Sequence, residues 1–170
     1  MIKKGILAAC GIVLLGLMYC VKPESYPIEP KIEFSRFSRD TISPSDSFSV
    51  FINFTDGDGD IGPDPDAPAQ VDTFCVTPDS VILKNQRFNF FYRDSRDKCI
   101  QYAATPYLSP TGKYKGIKGD IEVKLNASCK RVCSSSPCQD TVSYEIILKD
   151  RAGHVSNTIT TSKLILKGCN

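Results

Sequence analysis

Residues 47–54 read SFSVFINF, and Phe48, Val50, Ile52 and Phe54 recur at every second position. Strand side chains alternate between faces, so this pattern buries one side of a strand and leaves the other polar. Residues 31–37, KIEFSRF, put Ile32 and Phe34 on one face and bring Phe37 to it only after a one-residue slip. Further runs, VDTFCV, SVILKN, RFNFFYRD, IQYAA, DIEVKLN, TVSYEIILKD and VSNTITTSKLIL, are short, rich in β-branched or aromatic residues, and bounded by Pro, Gly, Asn or Asp. Such residues suit pleated, half-buried strands closed by turns. Beyond residue 19 no window sustains a helical period long enough for a core helix. The expected fold is all-β, an antiparallel β-sandwich over residues 31–170, with immunoglobulin-like topology the first choice within that class.

The start of the chain follows a different pattern. Lys3 and Lys4 precede Gly5–Tyr19, 15 residues without a charge, which end at Cys20. At ~1.5 Å per residue this run reaches about 22 Å as a helix, short of the ~30 Å hydrocarbon core, so a cleaved export signal fits better than a membrane span. The run resembles a lipoprotein signal, and Cys20 is the expected lipidation site, diacylated on sulfur as the first residue of the mature chain. LAAC, ending at Cys10, is nearer the usual lipobox, but cleavage there would leave only a few apolar residues before it; LMYC departs from that pattern at Tyr19. Two or three acyl chains hold a protein stably on a bilayer, whereas one is marginal. Residues 20–30 contain Pro23, Pro27 and Pro30 and no apolar period, as an extended tether would. The division is signal peptide 1–19, tether 20–30 and β-sandwich domain 31–170.

Charge and cysteine content narrow the partners. The chain carries 21 Lys and Arg against 19 Asp and Glu, and losing Lys3 and Lys4 with the signal balances them. A nucleic-acid partner asks for a concentrated basic excess, and export removes the opportunity, so no nucleic acid is expected. Cys75, Cys99, Cys129, Cys133, Cys138 and Cys169 follow Cys20, and an even number in an exported chain points to disulfides. Zinc fits poorly, because Cys129, Cys133 and Cys138 do not form paired C-x-x-C knuckles and His154 is the only histidine. Hairpin register selects one pair. If TVSYEIILKD and VSNTITTSKLIL are antiparallel about RAGH, Asp150 faces Val155, and Cys138 falls opposite Lys167, two residues from Cys169 and on the same face. A Cys138–Cys169 disulfide is expected, with Cys75, Cys99, Cys129 and Cys133 forming two more in a pairing left open.

Candidate chemistry concentrates in FINFTDGDGDIGPDPD, residues 51–66, where a strand runs into Asp56, Asp58, Asp60, Asp64 and Asp66. Asp56, Asp58 and Asp60 stand at positions 1, 3 and 5 of a calcium-loop spacing, which gathers hard oxygen ligands around one cation. The EF-hand pattern then fails, because Ile61 stands where Gly is required and Ala67 where Glu is. Two readings remain. One is an irregular calcium site on Asp56, Asp58 and Asp60. The other is a solvated turn in which these residues make Asx turns, Gly57, Gly59 and Gly62 supply positive φ, and Ile61 pins the loop to the core. No catalytic residue is assigned. His154, the one imidazole, falls in a predicted hairpin tip, solvated and free to move. Paired carboxylates need one member in drier surroundings than a Gly/Pro-rich loop offers, and the chain has no Trp to stack a sugar. In TGKYKGIKGD, Lys113, Lys115 and Lys118 gather around Tyr114 as a solvated turn or as a patch for an anionic glycan or acidic partner.

The strand followed by FTDGDGDIG, the later PYLSPTGKYKGIKGDIEVKL, and the closing YEIILKDRAGHVSNTITTSKLIL together resemble a family of Bacteroidetes-type surface lipoproteins with an immunoglobulin-like domain. DRAGHVSN also resembles the D-x-A-G-N-x-S-N hairpin of bacterial immunoglobulin-like modules, with His154 where Asn is usual. The resemblance implies a lipoprotein of the bacterial outer membrane, periplasmic or surface-exposed, and names no reaction. The expected function is a lipid-anchored extracytoplasmic binding or structural module without enzymatic activity. It would meet the membrane through its anchor and a protein or glycan partner through its surface, as one part of a surface assembly. The alternatives are a carbohydrate-active hydrolase that uses the loop aspartates and a passive structural spacer.

Overall fold

A computed structural model gives the architecture of residues 24–44, 46–67, 87–130 and 138–169. Within them are ten strands and no helix: β1 (Lys31–Phe37), β2 (Thr41–Ile42), β3 (Ser47–Asp56), β4 (Phe90–Asp94), β5 (Ile100–Ala103), β6 (Ile117–Asn126), β7 (Gln139–Val142), β8 (Tyr144–Leu148), β9 (Ile159–Thr160) and β10 (Leu164–Lys167). The runs VDTFCV and SVILKN, the signal segment, Cys20, Cys75 and Cys133 lie outside the described residues.

β3 lies between β1 and β6 in an antiparallel sheet. β10 lies between β7, antiparallel to it, and β2, parallel to it. The third sheet has the order β5-β4-β8-β9. β7 and β8 are one run interrupted at Ser143, so the second and third sheets succeed each other along the chain and together oppose the first. Between these layers Ile32, Val50 and Ile52 of the first sheet meet Ile146, Leu148, Leu164 and Leu166 of the others in one cluster, all wholly buried. Tyr144 sits among Phe37, Phe48 and Tyr92, with ring centroids 5.8 to 6.4 Å away. This is the expected all-β sandwich.

Two details of β1 and β3 follow from their side-chain pattern. The slip in KIEFSRF is a β-bulge between Phe34 and Arg36, which brings Phe37 back to the core face. In β3 the alternation that buries Phe48, Val50, Ile52 and Phe54 continues one step further, and the next inward position is Asp56. A carboxylate is therefore placed under the end of the sandwich by strand geometry alone.

The expected Cys138–Cys169 disulfide is not formed, and the reason is register. β8 pairs β9 through Glu145↔Thr160 and Ile146↔Ile159, the register expected there, but at the turn it is Lys149 and not Asp150 that pairs with Val155, so the return strand already takes up one extra residue before Ile159. After the break at Ser143, β7 pairs β10 through Val142↔Leu164 and Gln139↔Lys167. The return strand takes up one extra residue between Leu164 and Thr161, whose N–H donates to the Tyr144 carbonyl at 2.9 Å. A one-residue slip moves every later pairing by one, so Cys138 comes opposite Gly168, whose N–H donates to the Cys138 carbonyl at 3.1 Å, and Cys169 follows after the positive φ of Gly168 ends the strand. Cys169 instead bonds Cys129, with Cα atoms 5.5 Å apart. The assignment of Cys129 by elimination fails with it, and Cys99 and Cys138 are themselves disulfide-bonded.

Candidate functional site

Asp56 ends β3, Asp58 and Asp60 follow it in the loop, and Asp150 comes just after β8, from the opposing layer. One carboxylate oxygen from each of the four lies within 4.8 Å of all the others. Asp56 and Asp150 are buried, at 0% and 2% exposure, and Asp58 and Asp60 are partly buried. Several oxygens are held by backbone amides. Asp56 Oδ2 accepts from Asp60 N–H at 3.0 Å, and Asp60 Oδ2 from Ala152 N–H at 2.8 Å. Asp150 Oδ1 accepts from the N–H groups of Gly153 and His154, both at 2.7 Å. The Oδ1 atoms of Asp56, Asp58 and Asp60 are buried and have no hydrogen-bond partner.

The charge on these groups is poorly compensated. Burial, then the neighbouring Asp58 carboxylate, pushes Asp56 up to about 6. Burial and the Asp150 carboxylate raise Asp60 as well. Arg151, a cation beside the cluster, directs its guanidinium elsewhere, to the carbonyls of Ile61 at 2.7 Å, Gly62 at 3.1 Å and Leu108 at 2.7 Å. Among the described residues the only salt bridge to the four is from His154, whose Nδ1 lies 2.8 Å from Asp150 Oδ2. That bond raises the His154 pKa, and it also ties down a ring expected to be free at a hairpin tip.

Glycine lets neighbouring segments close over the loop. Gly59 and Gly62 take positive φ as expected, at 73° and 94°, but Gly57 does not. Gly57 is required by close approach instead, since a Cβ there would lie 2.5 Å from the carbonyl oxygens of both Tyr26 and Pro27. At Gly59 a Cβ would come within 2.3 Å of the Lys115 carbonyl oxygen. Ile61 is wholly buried, pinning the loop as expected, and its carbonyl accepts from Leu108 N–H at 2.8 Å. Residues 26–27, 106–115 and 150–154 thus all pack on the aspartate loop.

Of the five loop acids, three converge. Asp64 and Asp66 are exposed and among the described residues bond only locally, Asp66 N–H to Asp64 Oδ1 at 2.9 Å. Asp150 was not among the expected ligands; its signal was the first residue of DRAGHVSN, a turn-capping Asp whose distance from Asp56 in sequence hides their contact. Lys113, Lys115 and Lys118 are exposed, and Lys118 pairs with Glu24. Tyr114 and Tyr107 are the most exposed aromatic side chains described, at 65% and 53%. Tyr107 stacks on Arg151 at 4.2 Å, and Tyr114 helps line a recess of about 330 Å³ with Tyr26, Gly57 and Lys113.

Comparison with protein families, with curated proteins and with solved structures finds no match to this chain.

Proposed function

We propose that this chain is a lipid-anchored, extracytoplasmic immunoglobulin-like module of the bacterial outer membrane that holds a calcium ion in its aspartate loop and serves as a binding part of a surface assembly. The observation that carries the calcium reading is the set of buried Oδ1 atoms of Asp56, Asp58 and Asp60 without hydrogen-bond partners. A buried carboxylate oxygen lacking a donor is costly, and like charges crowded together add to the cost, so a hard cation is the natural complement. A spread within 4.8 Å accommodates oxygens on either side of an ion at the 2.3–2.6 Å usual for calcium.

Other observations support the rest. The order β2-β10-β7 continuing into β8-β4-β5, opposite β1-β3-β6, supports immunoglobulin-like connectivity. The Cys129–Cys169 disulfide supports an exported location. Exposed Tyr107 and Tyr114 beside the aspartate loop favour a binder over a passive spacer. Convergence of four carboxylates on one point, with Asp56 wholly buried, favours a cation over the separated acid pair of a glycoside hydrolase, where the two carboxyls stand roughly 5 to 10 Å apart.

Calorimetry on the mature chain is expected to detect calcium, and chelator is expected to lower its melting temperature. No heat at millimolar calcium, together with a melting temperature indifferent to chelator, overturns the reading. For the anchor, Cys20→Ala is expected to release the protein from the membrane fraction. Mass spectrometry showing an unmodified thiol at Cys20 of the mature protein defeats it.

A further inference from the structure

We propose that the calcium ion is shared between the two layers of the sandwich, with Asp150 of the β8–β9 turn as its fourth carboxylate ligand, so that the cation fastens the end of β3 to the opposite hairpin. This rests on the calcium reading above and extends it to a residue 94 positions from Asp56, brought beside the loop only by the fold.

Three features of the structure lead to Asp150. Its carboxylate is within 4.8 Å of those of Asp56, Asp58 and Asp60, and it is as deeply buried as Asp56. Asp56 is wholly buried inside this group and its Oδ1 has no hydrogen-bond partner, so the cluster contains an oxygen that only a cation or an unseen donor would satisfy. The backbone is already fixed for a shared ion. Arg151 N–H donates to the Asp60 carbonyl at 3.2 Å and Ala152 N–H to Asp60 Oδ2 at 2.8 Å, which couples turn to loop without using the free oxygens.

Asp150 also caps its own turn, and the two roles are compatible. A carboxylate offers about four lone-pair sites, and the N–H groups of Gly153 and His154 and the His154 ring occupy three. The remaining lone pair is available to the ion, while the His154 ring holds the carboxylate in place as outer-sphere partners do for metal ligands.

The test uses the mature chain with calcium alone as probe. Asp150→Asn keeps an oxygen for the turn amides and removes the charge, and it is expected to weaken calcium binding by about tenfold or more. Asp64→Asn/Asp66→Asn, which removes two exposed acids outside the cluster, is expected to leave the affinity within about twofold, since such charges are screened. Calcium binding unchanged by Asp150→Asn overturns the bridge and leaves the calcium reading standing, as does an equal loss in the Asp64/Asp66 variant, which would mean that only bulk charge matters. Absence of calcium binding in the wild type removes both. If Asp150→Asn does not fold in chelator, hydrogen exchange on the wild type decides: calcium is expected to slow the amides of 56–62 and of 150–154 together. Protection confined to 56–62 overturns the bridge.

Discussion

A Cβ on Gly62 would sit 2.2 Å from the Pro106 carbonyl oxygen and 2.7 Å from the Tyr107 Cα, whereas one on Gly153 would meet nothing within 4 Å. Both glycines have nearly the same positive φ, 94° and 100°. The left-handed conformation costs an L residue roughly 1–2 kcal/mol wherever it occurs, so this term is common to Ala at either position. The difference between Gly62→Ala and Gly153→Ala therefore isolates the contact between the aspartate loop and residues 106–107. In chelator, to keep cation binding out of the comparison, Gly62→Ala is expected to lose at least about 2 kcal/mol more than Gly153→Ala by urea denaturation, the scale of overpacking at a rigid site. Equal losses would mean that residues 106–107 move aside freely and do not hold the loop.

Between elements, the least replaceable polar contact is Arg96. Its guanidinium forks onto Asp94 at the end of β4, with Nε 2.9 Å from Oδ1, pairs with Asp140 of β7, and donates to the Ser128 carbonyl at 3.0 Å. Asp94 and Asp140 are 5% and 8% exposed. Arg96→Met takes the guanidinium that joins Asp94 to Asp140 away from two buried carboxylates, and a loss on the order of 3–5 kcal/mol is expected in thermal or chemical denaturation. A loss under about 1 kcal/mol would show that water reaches both acids. The network also marks the boundary of what the sequence discloses. β3 and β6 were legible because one buried face imposes an apolar alternation, Phe48 to Phe54 in β3 and Ile121 to Leu125 in β6. β2, two residues long, has too little pattern to read, and the split of TVSYEIILKD at Ser143 depends on which sheet each half joins. The same holds for the site. Asp56, Asp58 and Asp60 are visible as a local spacing, while the inward position of Asp56 shows only once β3 is seen to run through it. Asp150 joins the site through packing of the β8–β9 turn on a loop 94 residues away, and the Cys129–Cys169 bond depends on long-range register, which an extra residue before Leu164 shifted.

At the scale of the molecule, the two layers are fastened at both ends. β3 pairs with β6 from Ser47↔Asn126 to Asp56↔Ile117, so Cys129 follows one end of that ladder and the aspartate cluster occupies the other. Ten residues of strand span about 33 Å. At the first end, Cys129 after β6 is bonded to Cys169 after β10, in the opposite layer. At the other, Asn157 of the β9 approach pairs with the Ile32 backbone of β1, donating to its carbonyl and accepting from its N–H, each at 2.9 Å, beside the Asp56–Asp150 contact. The disulfide closes a segment with a sequence separation of 40, worth about 4 kcal/mol in the chain-entropy model. Cys129→Ser/Cys169→Ser is the proper comparison, because reductant would also attack the bonds of Cys99 and Cys138. Sites separated by more than roughly 10 Å without shared partners act independently, to within about 0.5 kcal/mol. The double variant is therefore expected to lose the same stability in calcium as in chelator, within that margin, when both proteins are denatured in urea. A loss that shrinks markedly in calcium would mean that the cation compensates for the missing bond through the shared core, and that the two fastenings are one cooperative unit rather than two.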